Sequence, residues 1–328
     1  MVAFAAPASA QWTPVADVPV GATYTVSVSG DTILAGVDSL VYVSINGGTS
    51  FKQSGPVVPE RRPVAATRVH GGRIYAGTYG LGVLVSSNLG DTWNSFSQGL
   101  VGGPFDTQLF ISDLLIDNNK MYAATDDGAW KRDLVASGTW SHFGDIFTPD
   151  QSENLRSIAV GGTRLVACGG SNGIMFFRDP GDPDWTESFL NNIGLGPGRA
   201  AQTSIFTGSL WLVGEASGVH HSTNAQSPWT LTDIGLGPLQ NVRFALHGTR
   251  IFAAFRITTG AAIEFSDDGL TWTLLDFQPG AFVLGLATHN NSLYAARTDG
   301  LWVRDISTVA TQPASFGSLK SLFLKPKK

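Results

Sequence analysis

The sequence predicts an all-β fold, a seven-bladed β-propeller built from four-stranded antiparallel blades. A short apolar segment recurs seven times at spacings of 41 to 47 residues, turn-forming residues bound each copy, and an aromatic residue follows six of the seven copies. Strand-forming repeats of about 40 to 50 residues are typical of propeller blades. The chain has 39 glycines and only 14% charged residues, which suits short strands joined by turns better than helices.

The recurring apolar segment is predicted to be the second strand of each blade. Its copies lie at 32–35, 73–76, 120–123, 164–167, 209–212, 250–253 and 292–295. Polar turn residues such as Asn118 and Asn119 come directly before it, and they suit the positive φ of tight hairpins. The aromatic residues that open the fourth strand are Phe51, Trp93, Trp140, Trp185, Trp229 and Trp272.

The seventh repeat stops after Arg304 without such an aromatic strand. The N-terminal stretch 11–15 carries Trp12 in a setting like that of Trp272. We therefore predict that an N-terminal strand completes the last blade, which closes the ring and removes exposed sheet edges. The expected organisation is a leader or signal-peptide remnant at 1–10, the propeller at 11–306, and a C-terminal tail or linker at 307–328.

The net charge and the N-terminal sequence indicate which partners and which cellular location to expect. The net charge of −5 gives no basic surface for nucleic acid, and no apolar run approaches the roughly 20 residues of a membrane span. Ala8, Ser9 and Ala10 match the small-x-small pattern of signal-peptidase sites. We therefore expect an exported protein, in a secreted, periplasmic or cell-surface location. The oligomeric state is left open.

No residue pattern predicts a metal, a cofactor or an activated nucleophile. His220 and His221 are neighbours in a predicted strand, where successive side chains point to opposite faces, so they are poorly placed to share a metal. There is no Gly-x-Ser-x-Gly nucleophile elbow. Cys168 is the single cysteine and stands in an apolar run, which predicts a small buried hydrophobic residue rather than a reactive thiol.

The hairpin before the aromatic residue carries a motif. In the second repeat Ser86, Asn88, Gly90, Thr92 and Trp93 resemble the Asp-box of the BNR-repeat superfamily, roughly Ser-x-Asp-x-Gly-x-Thr-Trp. The corresponding residues are Ser44, Asn46, Gly48 and Phe51 in the first repeat, Ser222, Asn224 and Trp229 in the fifth, and Asp267, Gly269, Thr271 and Trp272 in the sixth. Insertions distort the motif in the third and fourth repeats.

The resemblance covers about residues 11–306 and implies the fold more than an activity. Similar motifs occur in sialidases, xyloglucan-type glucanases, sortilin-type receptors and photosystem assembly factors. Within the motif the Asp or Asn side chain is expected to fold back onto backbone N–H groups of its own loop, and the glycine to take a backbone conformation closed to other residues. We therefore predict a structural role for these residues.

A glycoside hydrolase is the enzyme alternative. Sialidases have six blades and need an early Arg-Ile-Pro segment, whereas the nearest string here, 255–258, lacks the proline and lies in the sixth repeat. A glucanase would need two carboxylates across a cleft, and the adjacent pair Asp126 and Asp127 lies in a tight turn. Candidate loop carboxylates are Asp106, Asp145, Asp150 and Glu153.

Strand order predicts which face carries function. In an antiparallel meander the links between blades share one face with the second-to-third-strand turns, here called the inter-blade face. The motif hairpins lie on the opposite hairpin face. Long links on a rigid scaffold are where binding usually occurs, and arginines with aromatics suit an anionic or glycan-like ligand. The candidate binding residues of the inter-blade face are Arg61, Arg62, Phe105, Phe110, His142, Phe147, Arg156, Arg199 and Arg243.

The first functional hypothesis is therefore a non-catalytic exported propeller that binds a protein or a glycan through its inter-blade face. The glycoside hydrolase is the second, and it predicts converging carboxylates in a cleft. A third is a structural component of a surface assembly, which predicts an extended apolar contact surface.

Overall fold

The computed structural model describes residues 11–54, 62–100, 106–135, 137–144, 154–169, 174–190, 201–232, 234 and 241–309. These residues form seven four-stranded antiparallel sheets, which confirms the predicted seven-bladed propeller. The first strands of neighbouring blades contact each other all round, and blade 7 contacts blade 1. The ring is therefore closed, with the seven first strands around a central channel.

Each blade is a meander with its strands in chain order. The strands are Thr23–Ser29, Thr32–Val37, Leu40–Ser44 and Lys52–Gln53 in blade 1; Val64–His70, Arg73–Thr78, Gly82–Ser86 and Asn94–Ser95 in blade 2; Ile111–Asp117, Lys120–Thr125, Gly128–Asp133 and Ser141–His142 in blade 3; Leu155–Gly161, Arg164–Gly169, Ile174–Arg178 and Thr186–Phe189 in blade 4; Thr203–Phe206, Trp211–Glu215, Gly218–Ser222 and Thr230–Thr232 in blade 5; Asn241–His247, Arg250–Ile257, Gly260–Ser266 and Thr273–Pro279 in blade 6; Val283–His289, Ser292–Arg297 and Gly300–Asp305 in blade 7. A 3-10 helix spans Thr107–Leu109, and the described part of the chain contains no helix long and apolar enough to cross a membrane.

Blade 7 takes its fourth strand from the N-terminus, as predicted. Thr13–Pro14 pairs antiparallel with Gly300–Asp305, and the Val15 N–H donates to the Leu301 carbonyl at 2.9 Å. The Trp12 side chain is buried in the apolar layer between blades 6 and 7. The two ends of the propeller are thus joined by hydrogen bonds and by a buried aromatic ring.

Blades pack face to face through apolar side chains and small residues. A Cβ atom added to Gly77 in the second strand of blade 2 would lie 2.6 Å from Ile111 of blade 3, so glycine allows the close approach. Cys168 stands at the same strand position in blade 4 and is fully buried. Burial raises the pKa of its thiol to about 12, which confirms the prediction of a small buried side chain.

Side chains of the motif hairpins bind their own backbone, as the sequence predicts. In blade 2 the Ser86 hydroxyl donates to Asn88 Oδ1 at 2.9 Å and accepts the Gly90 N–H at 2.8 Å. Asn88 Oδ1 also accepts the Thr92 N–H at 3.0 Å. Gly90 has a φ of 89°, in the region that favours glycine. Blade 1 repeats this arrangement around Ser44 and Asn46.

The blade 6 hairpin corrects one sequence assignment. Asp268, not Asp267, accepts the backbone N–H groups of Leu270 and Thr271, both at 2.7 Å. Ser266 pairs with the second strand as Ser86 does in blade 2, so the loop from this serine to Trp272 is one residue shorter. Asp267 instead points outward and forms a bidentate ion pair with Arg250 at 2.6 and 2.9 Å.

Hydrogen bonds identify the two faces. On the hairpin face, the Leu134 N–H beyond the third strand of blade 3 donates to the Asn119 carbonyl of the first-to-second-strand turn at 2.8 Å. On the inter-blade face, the Tyr79 N–H in the second-to-third-strand turn of blade 2 donates to the Pro63 carbonyl at 3.0 Å. The turns and links therefore separate as the strand order predicts.

Candidate functional site

A cavity of about 440 Å³ lies at the inter-blade end of the central channel. The beginnings of all seven first strands form its wall, and Tyr79 from the second-to-third-strand turn of blade 2 completes it. Its charged lining residues are Arg68, Asp113, Arg156 and Arg243. Among the described residues, three lining cations and one lining carboxylate make this channel mouth locally positive, although the whole chain carries a net charge of −5.

A recurrent backbone irregularity shapes the wall. In five of the seven blades the first strand contains a β-bulge near its start. In blade 4 Leu155 pairs with Gly169 and Ser157 with Cys168, so Arg156 between them has no partner in the strand pairing. A bulge redirects a side chain, and Arg156 is exposed at the channel mouth.

Asp113 links three blades. Its Oδ1 lies 2.9 Å from Arg68 Nη2 of blade 2, and its Oδ2 accepts the Ile158 N–H of blade 4 at 3.2 Å. Arg68 also donates to the Thr67 carbonyl at 2.8 Å. Asp113 therefore neutralises one arginine of the channel mouth and fixes the positions of three first strands.

Arg243 forms part of the wall itself. Its Nε donates to the Leu284 carbonyl of blade 7 at 2.7 Å, and its Nη1 donates to the Val242 carbonyl at 2.9 Å and to Asn241 Oδ1. Burial lowers the pKa of the guanidinium, while Asp113 acts in the opposite direction. Most of its hydrogen-bonding capacity is directed to the protein, so Arg243 contributes charge and rigidity to the site.

Arg156 differs from the other two arginines of the channel mouth. It forms no hydrogen bond or ion pair with any residue that the structure describes. Tyr79 lies near it, and its hydroxyl donates to Asp126 Oδ2 at 3.2 Å. Burial raises the pKa of Asp126, whereas the Tyr79 hydroxyl and the charge of Arg156 lower it. Arg156 is thus the cation most available to a ligand.

Two further predicted residues gather around Tyr79. The rings of Phe110 and Tyr79 meet edge to face with centroids 4.6 Å apart. Arg62 lies against Gly80, the next residue in the turn, so closely that a Cβ atom there would meet its guanidinium at 2.1 Å. Arg62, Phe110 and Arg156 therefore share one side of the channel mouth.

The remaining predicted residues do not join this group. His142 belongs to the fourth strand of blade 3, where it pairs with Trp130 and lies away from the channel, so its assignment to an inter-blade link is corrected. Ser141 and His142 pair with Lys131 and Trp130 of the third strand, so the sheet continues to His142 before the link begins. The predicted residues Arg61, Phe105, Phe147 and Arg199 lie outside the described residues.

Sequence reasoning missed Arg68, Asp113 and Tyr79. Arg68 and Asp113 are charged residues inside first strands whose other residues are mostly apolar or small, and that contrast was the available signal. Tyr79 stands in a short turn, and nothing in the repeat pattern distinguished it. Its position follows from a backbone bridge to Phe110, which depends on the packing of two blades.

The adjacent histidines occupy different environments, as predicted. His220 is fully buried with its Nε2 3.0 Å from Glu215 Oε1, whereas His221 Nδ1 lies 3.0 Å from Thr232 Oγ1. The Ser217 hydroxyl also contacts Glu215 Oε1 and lies 3.4 Å from the same His220 nitrogen. A catalytic triad uses both histidine nitrogens, so this cluster does not form one. Within the described residues no three His, Cys, Asp or Glu side chains group as metal ligands.

Known structures share this architecture. No protein-family model matches the chain, and no curated protein matches it. YCF48 from Cyanidioschyzon merolae is similar with a TM-score of 0.66 at 15% identity, over 90% of this chain and 98% of that one. A structure of YCF48 bound to D1 peptide gives 0.67 at 14% identity, over 92% and 96%. The extracellular domain of the one-component system BT4673 from B. thetaiotaomicron gives 0.66 at 13% identity, over 89% and 39%.

At these identities the similarities show a shared fold. They single out no particular protein as the counterpart of this chain. Fold and site together define a seven-bladed propeller with an arginine-lined channel mouth.

Proposed function

We propose that this chain is an exported, non-catalytic binding module whose inter-blade face binds an anionic group of a protein or glycan ligand. The observation that carries the proposal is the convergence of Arg68, Arg156 and Arg243 on one cavity, where the described residues contribute one carboxylate. Guanidinium groups bind carboxylates and other oxyanions with paired hydrogen bonds.

The three arginines have different parts in this function. Arg243 is held by backbone carbonyls and supplies a fixed positive charge, whereas Arg68 is paired with Asp113 and holds the wall in place. Arg156 is exposed and unpaired among the described residues, so it contacts the ligand directly. Tyr79 and Phe110 beside it add aromatic surface at the rim of the cavity.

The hydrolase alternative makes a different demand on this cavity. Hydrolysis needs two carboxylates on either side of the scissile bond, at about 5 to 10 Å from each other. Among the described residues that line the cavity, Asp113 is the single carboxylate, and it is ion-paired with Arg68. The loop carboxylates Asp145, Asp150 and Glu153 of the hydrolase hypothesis lie outside the described residues.

The similar structures support the choice of ligand and location. One of them holds YCF48 with a D1 peptide bound, and another is an extracellular domain. A propeller of this shape thus accommodates a peptide in one relative and works outside the cell in another. For this chain a protein ligand and an exported location are the corresponding proposals.

Two arrays test the proposal: acidic peptides with free C-terminal carboxylates, and glycans that include sialylated and plant-type oligosaccharides. The strongest ligand is then titrated by calorimetry against the full chain, Arg156→Gln and Arg73→Gln. Arg73 is an exposed arginine at the edge of the hairpin face, so it is the matched control.

Loss of one charge-assisted contact should weaken binding about tenfold in Arg156→Gln and leave Arg73→Gln unchanged. A hit on one array alone identifies the ligand as protein or glycan. The absence of binding on both arrays, or equal affinities of Arg156→Gln and Arg73→Gln for the ligand, contradicts the proposal. Turnover of an arrayed glycan would replace it with the hydrolase hypothesis.

A further inference from the structure

A second groove, of about 410 Å³, lies on the hairpin face between blades 3 and 4. In these two blades insertions distort the hairpin motif. In blades 1, 2, 5 and 6 the hairpin side chains bind their own loop. The altered hairpins of blades 3 and 4 therefore coincide with an open groove.

The groove places two cations over one aromatic ring. Lys131 Nζ lies 4.6 Å and Arg178 Cζ 4.0 Å from the centroid of the Phe143 ring. Arg178 also donates to the carbonyls of Phe143 at 3.0 Å and Asp182 at 2.7 Å, which fixes its guanidinium. Neither cation forms an ion pair with a carboxylate among the described residues. Their charges therefore remain available to a ligand.

Tyr122 adds an unused hydrogen-bond donor to the groove. Its ring is buried, lies opposite Lys131 in the strand pairing, and packs 5.3 Å from the Phe143 ring. In the part of the chain that the structure describes, its hydroxyl has no hydrogen-bond partner. Burial raises the pKa of this hydroxyl, and Asp117 and Asp133 act in the same direction, so it keeps its proton at neutral pH.

Each of the three carboxylates that line the groove already accepts a hydrogen bond. Asp179 forms a bidentate pair with Arg164, a residue outside the lining. Asp182 Oδ2 accepts the Asp179 N–H at 3.0 Å, and Asp117 Oδ2 accepts Asn118 Nδ2 at 2.8 Å. Asp117 and Asp182 accept only from neutral donors and keep their charge, so the described lining balances these two carboxylates against Lys120, Lys131 and Arg178.

We propose that this groove is a second binding site, for an oxyanion held by Lys131, Arg178 and the Tyr122 hydroxyl. A carboxylate, a sulfate ester and a phosphate ester share the required chemistry, because each offers several acceptor oxygens to donors that surround one ring. The site lies on the face opposite the channel mouth, so it is independent of the proposed function.

Calorimetric titration with acetate, methyl sulfate and methyl phosphate distinguishes the three anions. The titrations use the Arg156→Gln variant, which removes the exposed cation of the channel mouth. In this background Lys131→Met deletes one charge but keeps the side-chain packing on Phe143, and Tyr122→Phe deletes only the hydroxyl. The matched controls are Lys52→Met, an exposed lysine of the same face, and Tyr75→Phe, the tyrosine at the equivalent position of blade 2.

For the preferred anion, Lys131→Met should weaken binding about tenfold and Tyr122→Phe about threefold to tenfold, with both controls unchanged. Thermal unfolding of each variant verifies that it is folded. Equal binding by all variants would mean that the anion binds elsewhere, and the absence of saturation by all three anions would show that the groove is not an oxyanion site. Either result overturns the proposal.

Discussion

Arg68 and Asp113 form an ion pair of 2.9 Å that joins blades 2 and 3 at the channel mouth. The same carboxylate accepts a backbone N–H from Ile158 of blade 4, so its removal affects three blades at once. It is also a negative charge at the proposed site, because it lines the cavity with Arg156 and Arg243. Stability and ligand affinity at this site therefore depend on Asp113 in opposite directions.

We expect Asp113→Asn to lower the free energy of unfolding by about 2 kcal/mol, because Arg68 loses its charged partner in a partly buried position. The same substitution should tighten binding of an anionic ligand several-fold, since the channel mouth gains net positive charge. Urea unfolding and calorimetry measure the two effects. Asp91→Asn, which removes an exposed ion pair between blades 1 and 2, is the control and should change neither. Weaker ligand binding by Asp113→Asn would contradict the proposed site.

Neighbouring aspartates of the blade 6 hairpin should respond differently to substitution. Although partial burial raises the pKa of Asp268, hydrogen bonds from the N–H groups of Thr271 and Leu270 lower it below its usual value. We expect Asp268→Ala to cost about 1 to 3 kcal/mol, since three donors lose their acceptor. Asp267→Ala removes a half-exposed ion pair and should cost much less. Equal unfolding midpoints for the two variants in urea would argue against the assignment.

The fold was predictable because the repeat contains its own signals. The apolar second strand, the turn before it and the aromatic residue of the fourth strand are all local in sequence. Seven second strands but only six such aromatic residues after them showed that one fourth strand was missing, and the N-terminal segment with Trp12 provides it. Asp267 was assigned wrongly because the loop of blade 6 is one residue shorter than the motif. Aligning the motif on Trp272 then places Asp267, rather than Asp268, at the position that accepts the backbone hydrogen bonds.

The candidate site was predictable only in part. Arg156 and Arg243 were found because strand order alone determines which face the links occupy. Tyr79 and Asp113 were missed because their roles depend on contacts between blades, such as the bridge from Tyr79 to Phe110. Asp113 contacts residues of the neighbouring blades 45 positions away in sequence. The repeat pattern predicts that neighbouring blades touch at about this spacing, but it does not predict which side chains make the contacts.

Closure of the ring should depend on Trp12. We expect Trp12→Ala to lower the free energy of unfolding by about 3 to 5 kcal/mol, because a buried aromatic ring is lost from the layer between blades 6 and 7. Release of the N-terminal strand would also expose the edge of Gly300–Asp305, so dimers should appear in size-exclusion chromatography. Thr13→Ala alters an exposed residue of the same strand and should behave like the unmodified chain. A monomeric Trp12→Ala variant of full stability would refute this role.

Glu264 should make the stability of the chain depend on pH. Glu264 is 1% exposed in the third strand of blade 6, and its Oε2 has no hydrogen-bond partner among the residues that the structure describes. Burial raises its pKa to about 8, well above the value in the unfolded chain. The unfolded chain releases this proton near pH 4.5, whereas the folded chain keeps it up to about pH 8. Between these two pH values the folded state therefore binds more protons than the unfolded state. Its contribution to stability is complete below this window and is lost as the pH rises through it.

We expect the free energy of unfolding to fall by up to about 1.4 kcal/mol per pH unit within this window because of Glu264. Glu264→Gln is neutral at every pH, so its stability curve should be flatter and should exceed that of the unmodified chain near pH 8. Urea unfolding at pH 5, 6.5 and 8 measures the difference. Glu187→Gln changes an exposed carboxyl of blade 4 and should keep the original slope. Parallel curves for Glu264→Gln and Glu187→Gln would mean that another group causes the pH dependence.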